Sequence, residues 1–153
     1  AARVWTQGIW WWMDPDQLIV RDPLTSTEVS GAIASAVIAS GTWMLGDDLT
    51  ELEPDRLNLA LDPTTMDLRG QVVRPIDPLG AVSGLDPGPI VEMTQDNDTT
   101  PHLWRLEDGT TVLLNLQTDA VDVQGPGGIN ILSGEEQPPG VRTLPPGTGE
   151  IWR

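Results

Sequence analysis

The feature that most limits the fold is an unbroken apolar run over residues 10–13, which ends in Asp14, Pro15 and Asp16. A continuous run of this kind is typical of a strand buried on both faces, as in a parallel α/β sheet. Pro15 cannot donate a ladder hydrogen bond and disfavours the helical conformation at Asp14, so the strand is predicted to end there. Both aspartates should then leave the C-terminal end of a buried strand, where α/β barrels hold their reactive groups. The alternative is that they only shape a turn.

The next segment is predicted to form a helix. Thr25 and Glu28 make a capping box, in which the threonine hydroxyl accepts from the third amide and the glutamate reaches back to the cap. The remaining positions are rich in Ala, Ser and Gly, so the helix can lie close to a sheet, and Gly41 is a good terminator. Apolar residues recur on one face at helical spacing: Val29, Ile33, Ala36 and Val37.

The same pattern occurs a second time. A short apolar strand over residues 42–45 is followed by Asp47 and Asp48, and Pro54 marks the first turn of another helix. Two successive strand–helix units with acids after both strands are typical of a (β/α) barrel or a doubly wound sheet. Their strands are expected to be parallel and their crossover right-handed.

The C-terminal half is predicted to be antiparallel. Residues 63–89 are rich in Pro, Gly and Asp and are typical of a linker with one or two edge strands. Residues 103–106 and 111–114 flank Asp108-Gly109, the signal of a type I′ hairpin turn. Further apolar runs alternate with Gly/Pro turns, at residues 120–123, 129–132, 141–144 and 149–152. This spacing favours a small β-sandwich.

Composition excludes several classes of function. The 153 residues carry 23 acids against eight arginines, with no lysine, which gives a formal net charge of −15. This charge argues against a nucleic-acid partner and against anionic membranes, because both would repel the chain. The absence of cysteine excludes disulfides and thiolate metal sites and leaves the compartment open. No apolar run reaches the roughly 18 residues of a membrane span.

Four carboxylates are candidates for chemistry. Asp14, Asp16, Asp47 and Asp48 all follow predicted neighbouring strands, which lie about 5 Å apart in a parallel sheet, so these acids could line one cleft. Glycosidases place two carboxylates around the bond that they cleave. The alternative, favoured for Asp47 and Asp48, is structural, because an acid before a helix caps free amides and interacts well with the helix dipole.

The remaining candidates are favoured as structural residues. Residues 96–98 with Glu107 have a spacing similar to a calcium loop, but Pro101 stands where that loop needs glycine, so no metal site is predicted. His102 is expected at the surface or at a sheet edge. Trp104 and Trp152 are expected to pack in the sheet core, with sugar stacking as the alternative. No phosphate loop or dinucleotide motif is present, so no cofactor is predicted.

Several of these motifs resemble one family in chain order. Residues 12–18, Trp-Met-Asp-Pro-Asp-Gln-Leu, resemble the Trp-Asn-Asp-Pro-Asp-Met-Leu motif after the seventh barrel strand of the α-galactosidase (melibiase) superfamily. Gly-Asp-Asp-Leu at 46–49 is similar to the end of its eighth strand, and Asp-Pro-Leu-Gly at 77–80 to the passage into its β domain. The hairpin region from residue 103 and the Leu-Pro-Pro-Gly turn at 144–147 also resemble that domain. Met13 and Gln17 replace the family's Asn and Met.

The resemblance implies a fold and a division into domains. Residues 1–65 would be the last two βα units of a TIM (β/α)8 barrel, with strands 7 and 8 and their helices. Residues 66–153 would be a C-terminal antiparallel β-sandwich. The chain begins Ala-Ala-Arg without methionine, and it is expected to be a piece of a longer protein.

The resemblance also implies a retaining α-glycosidase that hydrolyses terminal α-linked sugars, with a galactoside or related carbohydrate as its partner. The family's nucleophile and acid/base aspartates follow the fourth and sixth strands, so neither is expected here and the chain alone is predicted to be inactive. The position matching Asp16 lines the sugar pocket and Gln17 lies beside the ligand, whereas Asp14, Asp47 and Asp48 would shape loops.

The alternative comes from another class of function. It is a non-catalytic carbohydrate-binding or scaffold protein whose β-sandwich is the active part, with Trp104 or Trp152 exposed. Nothing in the sequence indicates an oligomeric state.

Overall fold

The computed structural model describes residues 14–76 and 102–153. The helices in this part of the chain are α1 (Ser26–Ala39), α2 (Pro54–Ala60) and α3 (Pro63–Met66). Its strands are β1 (Val73–Pro75), β2 (Leu103–Leu106), β3 (Thr111–Leu114), β4 (Val121–Gly125), β5 (Gly128–Ile129), β6 (Glu136–Gln137), β7 (Gly140–Leu144) and β8 (Gly149–Trp152). A four-stranded sheet has the order β1-β2-β3-β8, β4 pairs with β7, and β5 pairs with β6. All of these pairs are antiparallel.

Helix α1 has the predicted cap and the predicted buried face. The Thr25 hydroxyl accepts from the backbone N–H of Glu28 at 3.2 Å, and the Glu28 carboxylate accepts from the backbone N–H of Thr25 at 2.8 Å. The capping box is therefore confirmed. The helix is terminated by Ser40, which is left-handed with φ 54°, one residue before the predicted Gly41. The predicted apolar face is buried at all four positions: Val29, Ile33, Ala36 and Val37.

Strands β2 and β3 form the predicted hairpin, but its turn is not type I′. A type I′ turn needs positive φ at both central residues. Gly109 has φ 91°, whereas Asp108 is not among the residues with positive φ. The backbone N–H of Leu106 donates to the carbonyl of Thr110 at 2.9 Å, so the loop between the paired residues consists of residues 107–109. A three-residue loop that ends in a left-handed glycine is a common alternative.

The four-stranded sheet lies between two other layers, and β3 is one of its two inner strands. Successive side chains of a strand point to opposite faces. Leu114 therefore packs in the core that contains α1, whereas Leu113 packs with Val123 of β4 and Leu144 of β7. All four residues of β3 are buried.

Small residues let α1 approach β8 closely. A Cβ on Gly31 would overlap the carbonyl oxygen of Gly147, and a Cβ on Gly149 would overlap the side chain of Ala34. The backbone N–H of Gly149 also donates to the Ser30 hydroxyl at 3.3 Å. The predicted close approach of this helix to a sheet is confirmed, although the sheet is antiparallel.

The predicted fold class is wrong, because the described residues contain no βα units of a TIM (β/α)8 barrel. Parallel pairing there is limited to one bridge between Leu18 and Leu45. The bridge is closed by two backbone hydrogen bonds, from Leu18 to Met44 at 2.7 Å and from Gly46 to Leu18 at 3.0 Å. It does not extend into a ladder, because the Asp47 carboxylate takes the next available N–H, that of Val20, at 2.7 Å.

The predicted β-sandwich is wrong. The structure has three layers instead: helix α1, the four-stranded sheet and the two-stranded ribbon of β4 and β7.

The apolar run at residues 10–13 and the linker from residue 77 onward lie outside the described residues. One core joins residues on both sides of the predicted domain boundary at residue 65, for example Ile33 and Ile151. The boundary itself stays a prediction.

Candidate functional site

The loop that carries Asp14 and Asp16 is built from short-range hydrogen bonds. The backbone N–H of Asp16 donates to a carboxylate oxygen of Asp14 at 2.9 Å. The backbone N–H of Gln17 donates to the Asp16 carboxylate at 2.8 Å. Asp16 has φ 65°, a left-handed conformation that is uncommon outside glycine, although aspartate and asparagine adopt it more readily than other residues. The Asp14 carboxylate thus holds the backbone of Asp16, and the Asp16 carboxylate holds that of Gln17, in a specific, sharply turned conformation.

Asp16 and Gln17 border a cavity of about 170 Å³ between this loop, the second half of α1 and the segment after Gly41. The side chains around it combine a carboxylate, an amide, two hydroxyls, an indole and a thioether: Asp16, Gln17, Ser35, Thr42, Trp43 and Met44. Both Asp16 and Gln17 are exposed, so their polar groups are available to a ligand. An apolar cavity with a few convergent polar groups is the usual form of a small-molecule site.

Two contacts fix the walls of this cavity. The Trp43 indole N–H donates to the backbone carbonyl of Ala60 at 3.0 Å, which holds the ring in one orientation against the end of α2. The Gln17 side chain lies over Gly46, where a Cβ would overlap its amide oxygen. Gly46 is thus required for the observed position of Gln17.

Asp47 and Asp48 lie at a different cavity. It has a volume of about 340 Å³ and is lined by both acids together with Arg21, Glu51 and Arg56. The buried Asp47 side chain accepts from Val20 and Arg21, whereas exposed Asp48 accepts from the hydroxyl of Thr50 at 2.7 Å and from its backbone N–H at 2.9 Å. Both hydrogen bonds from Thr50 lower the pKa of the Asp48 carboxyl below its usual value, and the bond from the hydroxyl has the larger effect. Neither acid caps α2, whose N-cap is Glu53.

The four candidate aspartates are therefore not brought together in the described part of the chain. Asp16 precedes the Leu18–Leu45 bridge, and Asp47 follows it. Because the bridge is parallel, these positions fall at its opposite ends. Asp16 borders one cavity, whereas Asp47 and Asp48 border the other.

His102 is buried, so the prediction that it lies at the surface or at an edge is wrong. It is 5% exposed, and its Nδ1 lies 3.0 Å from the backbone carbonyl oxygen of Leu114.

The calcium-like residues 96–98 lie outside the described residues. Among residues 14–76 and 102–153, no group of three or more His, Asp and Glu side chains could hold a metal ion.

Trp104 and Trp152 both pack inside the layers, as predicted. Trp104 is 1% exposed, on the α1 side of the sheet, and Trp152 is 2% exposed, on the side of β4 and β7. Arg142 lies over the Trp152 ring, 3.8 Å from its centroid. Neither indole presents a free face for sugar stacking, which the alternative function requires.

The cavity-lining roles of Trp43, Thr42 and Ser35 are not evident from the sequence. The sequence predicts Trp43 in a buried strand and Ser35 in a helix rich in small residues. No sequence signal indicates these roles, because the apolar run of Trp43, Met44 and Leu45 is typical of a buried strand, and only the structure shows that Met44 is 44% exposed.

Within the described residues, no helix is long and apolar enough to cross a membrane. Comparison with models of protein families, with curated proteins and with solved structures found no match to this chain.

Proposed function

We propose that Asp16 and Gln17 bind the sugar ring of an α-linked glycoside, and that this chain serves a retaining α-glycosidase that resembles the α-galactosidases. The observation that carries the proposal is the left-handed conformation of Asp16 beside a cavity that contains an oriented indole. Non-glycine residues in this conformation cost free energy and cluster at functional sites. The motif around Asp16 is also the one that resembles a sugar-binding loop.

The side chains around the cavity suit a carbohydrate. Sugar hydroxyls need both acceptors and donors, which the Asp16 carboxylate and the Gln17 amide supply. One Asp16 oxygen accepts from the backbone N–H of Gln17, and the other makes no hydrogen bond within residues 14–76 and 102–153, so it can accept from a hydroxyl. The half-buried Trp43 ring offers an apolar surface for the C–H groups of the ring.

The proposed role of these residues is binding and not bond cleavage. A retaining glycosidase needs two carboxyl groups about 5–5.5 Å apart around the scissile bond. In the family that the sequence resembles, those two aspartates belong to segments that no part of this sequence matches. The 153-residue chain alone is therefore expected to show no turnover of an aryl α-galactoside, and measurable turnover that co-purifies with it would contradict this role.

The binding test uses the 153-residue chain and methyl α-galactoside, followed by ¹H–¹⁵N NMR. We expect shifts of the amides at residues 15–18 and 42–44 and of the Trp43 indole N–H. Asp16→Ala should weaken binding about tenfold, because it removes a charged acceptor. Asp48→Ala removes an equal charge at the other cavity and is the matched control.

Two results would overturn the proposal. One is an affinity that is unchanged in Asp16→Ala. The other is a set of shifts confined to residues 20–22 and 47–56, which would assign the sugar to the second cavity. In any longer protein that contains this sequence, Asp16→Asn should also lower kcat/KM for an α-glycoside.

A further inference from the structure

Two arginines face each other at the edge of the four-stranded sheet. Arg74 of β1 is directly opposite Arg105 of β2 in the antiparallel register, and both side chains are exposed. Residues opposite each other in such a pair have Cβ atoms about 4.5–5.5 Å apart, and like charges at these positions destabilise the pairing. The arrangement therefore has an electrostatic cost that some other interaction can offset.

No acid within the described residues neutralises this pair. The ion pairs there are Arg21–Asp47, Arg56–Asp22 and Arg153–Asp108. Among residues 14–76 and 102–153, the acids nearest to the pair along the chain are in the β2–β3 turn, and both are engaged elsewhere. Asp108 pairs with Arg153 at 3.4 Å, and the Glu107 carboxylate accepts from the backbone N–H of Val72 at 3.5 Å.

The lack of an acidic partner in the described part of the chain is notable, because the chain is so acidic. Eight arginines are available to 23 acids, so an arginine placed at random on the surface would meet a carboxylate more readily than a second arginine. Instead, two of the eight lie side by side on one face of the sheet.

The surroundings of the pair are apolar. Val72 and Ile76 stand two residues to either side of Arg74 and so share its face of the sheet, and each is 40% exposed. The β4–β7 ribbon covers Leu113 and Trp152 on this same face but leaves Arg74 and Arg105 exposed. The arginine pair, Arg74 and Arg105, is thus an accessible doubly positive site with apolar flanks.

We propose that the arginine pair binds the phosphoryl group of a small phosphate monoester. Such a group carries about −1.5 to −2 charges at pH 7, which matches two guanidinium groups, whereas a carboxylate would neutralise only one of them. Guanidinium N–H groups form bidentate hydrogen bonds with phosphate oxygens. Long polyanions are disfavoured, because the net charge of −15 repels them. Val72 and Ile76 would contact the organic part of the ester.

The test is an NMR titration of the 153-residue chain with phenyl phosphate, inorganic phosphate and acetate at constant ionic strength. We expect shifts of the amides of β1 and β2, with phenyl phosphate bound more tightly than inorganic phosphate and acetate bound weakly. Inorganic phosphate that binds as tightly as the ester would show that the free ion is the ligand, and would overturn the ester part of the proposal.

Arg74→Gln and Arg105→Gln should each weaken phenyl phosphate binding about tenfold or more, because each removes charge-assisted hydrogen bonds. Both variants also remove a like-charge contact, so they should fold at least as stably as the wild type. Arg69→Gln is the matched control, since it removes an exposed arginine outside the sheet. An equal loss in Arg69→Gln, or equal binding of acetate and phosphate, would show non-specific attraction and overturn the proposal.

A further variant distinguishes the chain's own acids from an external ligand. It replaces the five acids of residues 77–101 by amides: Asp77, Asp86, Glu92, Asp96 and Asp98. If the wild type fails to bind phenyl phosphate and only this variant binds it, the chain's own carboxylates occupy the arginine pair and the proposal is wrong. None of these measurements depends on the sugar site at Asp16.

Discussion

The Asp47 carboxylate accepts a hydrogen bond of 2.7 Å from the backbone N–H of Val20, which lies 27 residues earlier in the chain. Its other oxygen accepts from the Arg21 guanidinium at 2.8 Å. The Asp47 side chain is fully buried, whereas that of Arg21 is 56% exposed. A buried carboxylate is tolerated only when its oxygens are paired. Asp47 therefore joins the loop after Leu18 to the segment after Leu45 at the point where backbone pairing stops.

Replacing Asp47 by alanine should lower the free energy of unfolding by about 1–3 kcal/mol, because the buried N–H of Val20 loses its acceptor. Urea denaturation followed by tryptophan fluorescence measures the change. Asp48→Ala is the control, since the Asp48 side chain is exposed and, within the described residues, accepts hydrogen bonds only from Thr50. Equal losses in the two variants would contradict the assigned role of Asp47.

Gly31→Ala should destabilise the protein by about 1–3 kcal/mol, the usual cost of overpacking. In a helix interior, replacing glycine by alanine normally raises the free energy of unfolding. A decrease would therefore indicate the close contact at Gly31. The reason is that the added methyl group would overlap the carbonyl oxygen of Gly147. Gly140→Ala, where a Cβ meets nothing within 4 Å, should have little effect in the same thermal denaturation assay. A stabilised Gly31→Ala would show that α1 is farther from the turn before β8.

Asn115→Asp should cost about 3 kcal/mol or more, because a carboxylate would face backbone oxygens in a buried site. The Asn115 side chain is 0% exposed, and its amide donates to the carbonyls of Asp119, Leu144 and Pro145 at 2.8, 2.9 and 3.2 Å. Denaturant titration at neutral pH provides the measurement. Asp119→Ala keeps the accepting carbonyl and should be nearly neutral, whereas a similar loss there would implicate the loop's side chains instead.

The capping box of α1 predicts a pH dependence. Two hydrogen bonds from Thr25 lower the pKa of the Glu28 carboxyl below its ordinary value of 4.5. The bond from the backbone N–H has a larger effect than the bond from the hydroxyl. A carboxyl with a lowered folded-state pKa stabilises the fold above its unfolded pKa, and this contribution disappears as pH falls through the folded pKa. The difference in melting temperature between wild type and Glu28→Gln should be constant near neutral pH and shrink below pH 4.5. A difference that persists unchanged at about pH 2 would rule out this linkage.

Local signals predicted the local structure. Thr25 and Glu28 lie three residues apart, and their interaction needs nothing beyond the helix that they cap. The Asp108-Gly109 hairpin is similarly local, and only its turn type was wrong, because Asp108 keeps negative φ while Gly109 takes the left-handed position. Pro54 likewise begins α2 as predicted.

The pairing of distant segments was not predictable in the same way. Residues 42–45 look like a buried parallel strand, yet Leu45 makes a single bridge, because Asp47 takes the N–H of Val20 that a continued ladder would use. Burial of His102 depends on the carbonyl of Leu114 across the hairpin, which no spacing in the sequence indicates. The sugar-binding assignment of Asp16 and Gln17 stays a prediction.

The contact between Ser30 and Gly149 joins residues that are 119 positions apart. At about 5–20 residues per second, a ribosome needs roughly 6–24 s to make the intervening chain. During that interval α1 lacks β8, and of the four-stranded sheet only β1, β2 and β3 are available to bury Val29, Ile33 and Val37. The core around α1 is thus complete only after β8 has been made, and slow translation between these two elements prolongs the period in which that core is incomplete.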